Sequence, residues 1–194
     1  MVDIANTPIK ICSRASLLIG GNPISSFTDG SSEATVAGAM YEDIARAALT
    51  NCRWRFSTSQ EQLSRLSEAP TGRFDAAYQL PSGLLLLNAV TINDFNISCD
   101  TYGSKVYCDA STNDVLVADY VFRAEENTWP PYFIVAVEYL MAGVLAISVA
   151  RDAAMAKMME EKAAMQMMQA RRLHSQQQTT KKLNTSRFIA QRRS

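Results

Sequence analysis

Trp129-Pro130-Pro131-Tyr132-Phe133-Ile134-Val135-Ala136-Val137-Glu138-Tyr139-Leu140-Met141-Ala142-Gly143-Val144-Leu145-Ala146-Ile147-Ser148-Val149-Ala150 is the stretch whose reading decides the fold. Two prolines suit the first turn of a helix, where a backbone N–H has no partner to lose, and the residues after them run almost without polar interruption. At about 1.5 Å per residue such a helix is long enough to cross a bilayer. Glu138 argues against that location, because an ionisable group is costly in lipid. A helix apolar all round must instead be buried all round. A chain of 194 residues builds one domain with a real core. That body is expected to cover only part of the helix, and neighbouring subunits the rest.

Working outward, Met155, Met158, Met159, Met165, Met167 and Met168 interleave with Glu160, Glu161 and Lys162. Methionine and alanine favour helix, so the helical reading extends over 131–172. The methionines serve either as gap-filling packing or as an adaptable binding surface, and both need a neighbour. Beyond Glu161 the chain has no acidic residue but carries Lys162, Arg171, Arg172, Lys181, Lys182, Arg187, Arg192 and Arg193. Since the formal net charge is 0, the remaining body is acidic. A basic, Gln/Thr/Ser-rich tail over 173–194 is expected to stay disordered until an acidic partner binds it. Leu183, Phe188 and Ile189 sit among its charges. Phosphate binding needs charge alone, whereas apolar anchors suit a groove in a protein.

Upstream, Ile11, Ala15, Leu18 and Ile19 mark one face of a helix over 9–19, stopped by Gly20-Gly21-Asn22-Pro23. Ala37, Met40, Tyr41, Ile44, Ala48 and Leu49 repeat at helical spacing, with Ser31 or Ser32 as N-cap, giving a helix over 31–51. The runs 84–90, 97–99, 105–108 and 115–122 are short and β-branched or aromatic, and read as one small antiparallel sheet inserted over about 74–124. In the last run Val115, Val117, Asp119 and Val121 share one face, and Leu116, Ala118, Tyr120 and Phe122 the other. The expected fold class is α+β, mainly helical: an antiparallel helix bundle with an inserted sheet, a single domain over 1–172 and a tail.

Several chemistries find little support. Cys12, Cys52, Cys99 and Cys108 lack the spacing of a zinc or redox centre. A Cys99–Cys108 disulfide spans a short turn, but no leader pattern opens the chain, so free thiols in a reducing cytoplasm are expected. His174 is the only histidine and lies at the edge of the tail. Asp94, Asp100, Asp109, Asp114 and Asp119 are explained by turn hydrogen bonding before any glycosidase pairing. No nucleotide, nucleophile-elbow or zinc-protease motif is present, so neither an enzyme nor a cofactor is expected. Arg53-Trp54-Arg55-Phe56 has the residue types that grip nucleic acid, yet an anchor at the helix-to-sheet junction is the stronger reading.

In order along the chain, Ile11-Cys12-Ser13-Arg14-Ala15-Ser16-Leu17-Leu18-Ile19-Gly20, Pro23-Ile24-Ser25-Ser26-Phe27, Ala48-Leu49, Trp54-Arg55-Phe56, Tyr78-Gln79-Leu80-Pro81 and Trp129-Pro130-Pro131-Tyr132-Phe133 resemble the motifs of the head-to-tail adaptor family of short-tailed bacteriophages, the tail tubular protein A group. Asn51-Cys52-Arg53 and Ser82-Gly83 depart from that pattern at packing and turn positions. The resemblance implies a virion protein of the neck, assembled in the host cytoplasm. Its expected partners are its own copies in a twelve-fold ring, the portal protein above and the tail nozzle protein below, with DNA passing through without specific binding and no membrane. It implies portal docking by Lys181, Lys182, Leu183, Arg187, Phe188, Ile189, Arg192 and Arg193 of the tail. The alternatives are a nucleic-acid-binding protein using the basic tail, or a head-completion connector of a long-tailed phage.

Overall fold

The computed structural model describes residues 6–67, 70 and 72–177. Helix α1 runs Pro8–Leu18 and α2 Ser32–Thr50. Both start where the sequence offers a cap. Thr7 accepts from the Lys10 N–H with a proline in the first turn, and the Ser31 hydroxyl accepts from the Ala34 N–H at 3.1 Å. Asp29 fixes that cap from the loop side, accepting from the Ser31 N–H at 2.9 Å and from its hydroxyl at 2.6 Å. The Ser31 donors hold the exposed Asp29 carboxyl down at about 2.

The long apolar run is helix α3, Pro131–Ser148, followed by α4, Ala153–Gln176. The single helix expected over 131–172 is therefore two. Arg151 adopts φ 53, which reverses the chain, and Asp152 caps the new helix by accepting from the N–H groups of Ala154 and Met155, each at 2.9 Å. Gly143 of α3 lies against Glu160 and the Ala156 carbonyl, while the Lys162 ammonium sits over the Tyr139 ring. The two helices thus run antiparallel. α4 also continues through His174 to Gln176, four residues past its expected end at 172.

The β region forms two four-stranded antiparallel sheets in place of the one expected. With β1 at Thr58–Gln62, β2 at Ser64–Arg65, β3 at Ala76–Gln79, β4 at Leu84–Ile92, β5 at Phe95–Asn96, β6 at Cys99–Tyr102, β7 at Lys105–Cys108 and β8 at Leu116–Phe122, the orders are β1-β8-β4-β5 and β2-β3-β7-β6. It begins near residue 58 instead of 74, because β1 is a polar edge strand that shows no apolar alternation. Leu63 steps the chain from one sheet to the other and is buried between them. Two-residue turns close two hairpins: Asn93-Asp94, both at positive φ, and Gly103-Ser104, with Gly103 at φ 60.

Two cores result. Leu63, Tyr78, Val90, Val106, Leu116 and Ala118 fill the space shared by the sheets. Ile11, Tyr41, Leu49, Trp54, Phe133, Met141 and Leu145 are among those filling the helical half. Phe122, at the end of β8, touches both. On β8 the face carrying Leu116, Ala118 and Tyr120 is buried, while Val115 stays exposed and only Val121 of its row is fully covered.

Removing the α4 cap with Asp152→Ala is expected to lower stability by about 1 kcal/mol in urea unfolding. Unchanged stability would mean that the reversal at 149–152 is held by packing alone.

Candidate interaction surfaces

The helices meet the sheets around Trp54, which has no exposed surface and whose indole N–H donates to the Ala48 carbonyl at 3.0 Å. Phe56 stacks on it at 5.9 Å, while Phe133 and His174 meet it edge-on at 5.1 and 5.3 Å. Trp129 closes the cluster, edge-on to Phe133 at 4.9 Å. Arg53 pairs with Asp119 of β8, and Arg55 donates to the Gln177 carbonyl. The anchor reading of Arg53-Trp54-Arg55-Phe56 fits this geometry. A buried indole offers no platform for a base to stack on.

His174 sits under this cluster, 5 % exposed, with its Nε2 3.1 Å from the Arg53 carbonyl oxygen. Its expected place at the edge of a solvated tail is corrected: its helical register returns it to the α4 stripe of Ala156, Met159, Ala163, Met167 and Ala170. Burial, aided by the Arg55 charge, holds its pKa below the ordinary value.

A second junction was invisible in the sequence because its members lie far apart in the chain. Arg123, just past β8, contacts Glu42 of α2 at 3.0 Å and Glu126 at 2.5 Å, with its guanidinium 5.4 Å from the centre of the Trp129 ring. The Tyr41 hydroxyl donates to Glu126 at 3.0 Å in the interior. Hydrogen bonds from Arg123 hold the Glu42 carboxyl below its usual range, while burial and then Glu126 push the Tyr41 hydroxyl far up. One guanidinium thus ties α2, the end of β8 and the turn that leads into α3 together.

The surface above this frame is unevenly covered. Among the described residues one helix, α3, is long and apolar enough to cross a membrane, and half of it is buried within the subunit. Its Glu138 is paired with Arg14 of α1 at 2.6 Å, although burial still raises the carboxyl's pKa. The uncovered flank of α3 forms a groove of about 250 Å³ against α2, lined by Ile44, Leu140, Gly143, Val144 and Ile147 and bordered by Glu160. Met40, one turn before Ile44, extends the apolar strip along α2. The methionines divide. Met159 and Met167 face α3, while Met158, Met165 and Met168 are exposed on the opposite side of α4.

The expected portal-docking residues Lys181, Lys182, Leu183, Arg187, Phe188, Ile189, Arg192 and Arg193 lie outside the described residues. Of the candidate carboxylates, Asp100 pairs with Arg73 at 2.6 Å, Asp109 accepts from the Asp75 N–H, Asp114 from the Ser111 N–H, and Asp119 from Asn88 and Arg53. Asp94 occupies its hairpin turn. Each has a local structural task. A cleft of about 560 Å³ on the second sheet is bordered by Arg73, Phe74, Asp100, Tyr102 and Tyr107, and its most prominent charges are spent on the Arg73–Asp100 pair. Among the described residues no three His, Cys, Asp or Glu side chains are grouped to hold a metal ion. No family model matches the chain, and no curated protein matches it in sequence.

The Arg123 junction has a definite pH signature. Because the folded pKa of Glu42 is depressed, its contribution is complete above the ordinary carboxylate value of about 4.3 and is lost as pH falls through the depressed one. Arg123→Met is expected to lower stability at pH 7 by roughly 2–3 kcal/mol and by less at pH 3, read by urea unfolding at both. An equal loss at both pH values would contradict an electrostatic role.

Proposed function

We propose that this chain is a structural virion protein, one subunit of an adaptor ring that joins the capsid portal to the tail of a short-tailed phage and forms part of the DNA ejection conduit. In this reading α1–α4 stand as an antiparallel bundle beside the same helices of neighbouring copies, twelve to a ring. The two sheets reach toward the tail nozzle protein, and the basic tail docks on the portal. The ring sits in the neck of the virion after assembly in the host cytoplasm, and it needs neither catalysis nor a cofactor.

The observation that carries the reading is the uncovered flank of α3. Ile147 is exposed, and Leu140, Val144 and Ile44 of α2 are only half-buried, which leaves an apolar strip that the subunit covers in part. Apolar strips of this kind mark surfaces that meet another protein. A second copy of the chain is the occupant that suits it, since the exposed Met158, Met165 and Met168 on the far side of α4 offer an adaptable apolar partner surface. The ordered motif resemblance supports the same reading. The acidic body agrees with a conduit wall that does not hold DNA phosphates.

The portal-docking role is tested by truncating the chain after Gln177, which spares His174 and with it the cover over Trp54. The truncated chain is expected to keep its melting temperature and to lose portal protein in a pull-down. Undiminished portal capture would remove the docking role from the tail. Steep, salt-dependent binding of the full chain to random-sequence DNA, lost on the same truncation, would favour a nucleic-acid-binding protein instead.

A further inference from the structure

The second sheet places two cysteines opposite each other. In the β6–β7 hairpin the register partners are Tyr102 with Lys105, Thr101 with Val106, Asp100 with Tyr107, and Cys99 with Cys108. Antiparallel pairs alternate between hydrogen-bonded and non-hydrogen-bonded types. A two-residue turn makes its flanking pair, Tyr102 and Lys105, hydrogen-bonded, so Cys99 and Cys108 form a non-hydrogen-bonded pair. The other side of β7 gives the same parity. Leu80 donates its N–H to the Ser104 carbonyl at 2.9 Å, so the even-numbered residues of β7 direct their backbone groups toward β3.

Non-hydrogen-bonded partners stand with Cα atoms about 4.5 Å apart and side chains on the same face. That separation falls at the short end of the range that a disulfide spans, about 4.4–6.8 Å. Both side chains join the apolar cluster between the sheets: Cys108 is buried, and Cys99 is partly exposed at the edge strand. Cys12 and Cys52 belong to the helical core. We propose that Cys99 and Cys108 are a modification site, a cross-strand dithiol that closes reversibly to an intrachain disulfide and so bolts the edge strand β6 to β7. The inference rests on the sheet geometry and not on the adaptor reading.

With a glutathione disulfide as oxidant the step balances. The Cys99 thiolate, the accessible one, attacks a glutathione sulfur; the glutathione S–S bond breaks, a Cys99–glutathione bond forms, and one glutathione thiolate leaves. Cys108 then gives up its proton and attacks the Cys99 sulfur; the mixed bond breaks, and a second glutathione leaves and takes the proton. Two thiols are oxidised and one disulfide is reduced to two thiols. Burial, the Cys99 neighbour and Asp109 push Cys108 up to about 11, with Arg65 opposing and Asp114 adding, while burial and Asp100 raise Cys99. Both thiols are thus largely protonated at neutral pH. Closure is slow there and speeds up with pH, by close to tenfold per unit below the thiol range.

The test equilibrates the full chain across reduced-to-oxidised glutathione ratios, quenches with N-ethylmaleimide and maps the peptides. The expected result is one intrachain Cys99–Cys108 link, with Cys12 and Cys52 still alkylated, faster closure at pH 8.5 than at pH 7, and slowed amide exchange across β6 and β7. Cys108→Ser is expected to stop at a Cys99–glutathione adduct. Three results would overturn the proposal: Cys99 and Cys108 both alkylated at the most oxidising ratio, a wild-type adduct at Cys99 that never closes, or links that involve Cys12 or Cys52 or join two chains.

Discussion

An indole nitrogen in a dry core must find an acceptor, and the placing of Trp54 governs how the helical half meets the sheets. Its N–H is satisfied by the Ala48 carbonyl near the end of α2, and its faces and edges are filled by Phe56, Phe133 and His174. Those three contacts come from the turn leading into β1, the first helical turns of α3 and the last turn of α4. Buried aromatic pairs of this kind contribute about 0.5–1.5 kcal/mol each beyond the area they bury. The junction therefore sets where three elements meet and why α4 extends to its last turn. Arg123 performs the complementary polar task, joining α2 through the half-exposed Glu42 and the turn before α3 through Glu126, whose buried carboxylate would be costly to leave alone.

Much of this frame is legible in the sequence wherever the deciding force is local. Ser31 announces the start of α2 because capping acts within one turn, whereas the Thr7 cap and Pro8 place the start of α1 one residue before the expected 9. The alternation along β8 and the apolar run of α3 are readable because burial imposes a period. The reversal at Arg151-Asp152 is harder. Alanine and methionine on both sides favour helix, and only the aspartate cap and a strained φ reveal the break. The division into two sheets is hidden for a different reason: it turns on Leu63, one apolar residue between two short polar strands. His174 and the Arg123 cluster escape because their partners lie far away in sequence, where neither period nor spacing carries a signal.

The same distinction applies to the interaction surfaces. An apolar helix such as α3 raises the expectation of cover from beyond the subunit, but the sequence does not tell which flank stays open. The structure shows one such place on the side facing Ile44, where Ile147 is exposed and Leu140 and Val144 are half-buried; Val135 is exposed elsewhere on α3. It also separates the methionines of α4 into a packing face and a free face, which a count of methionines along the chain does not do. An assembling subunit needs two such surfaces, one to offer and one to receive, for a ring to close.

In the proposed ring these apolar strips are filled by copies of the same chain. The mass of the full chain in solution, read by light scattering across a wide concentration range, alone and with a short-tailed phage portal protein as the proposed adaptor role requires, tests this. A closed multi-subunit ring is expected, lost when Val144→Asp places a charge in the groove, while the far-ultraviolet signal of the variant stays unchanged. A wild-type chain that remains monomeric at every concentration, with and without the portal, would contradict it.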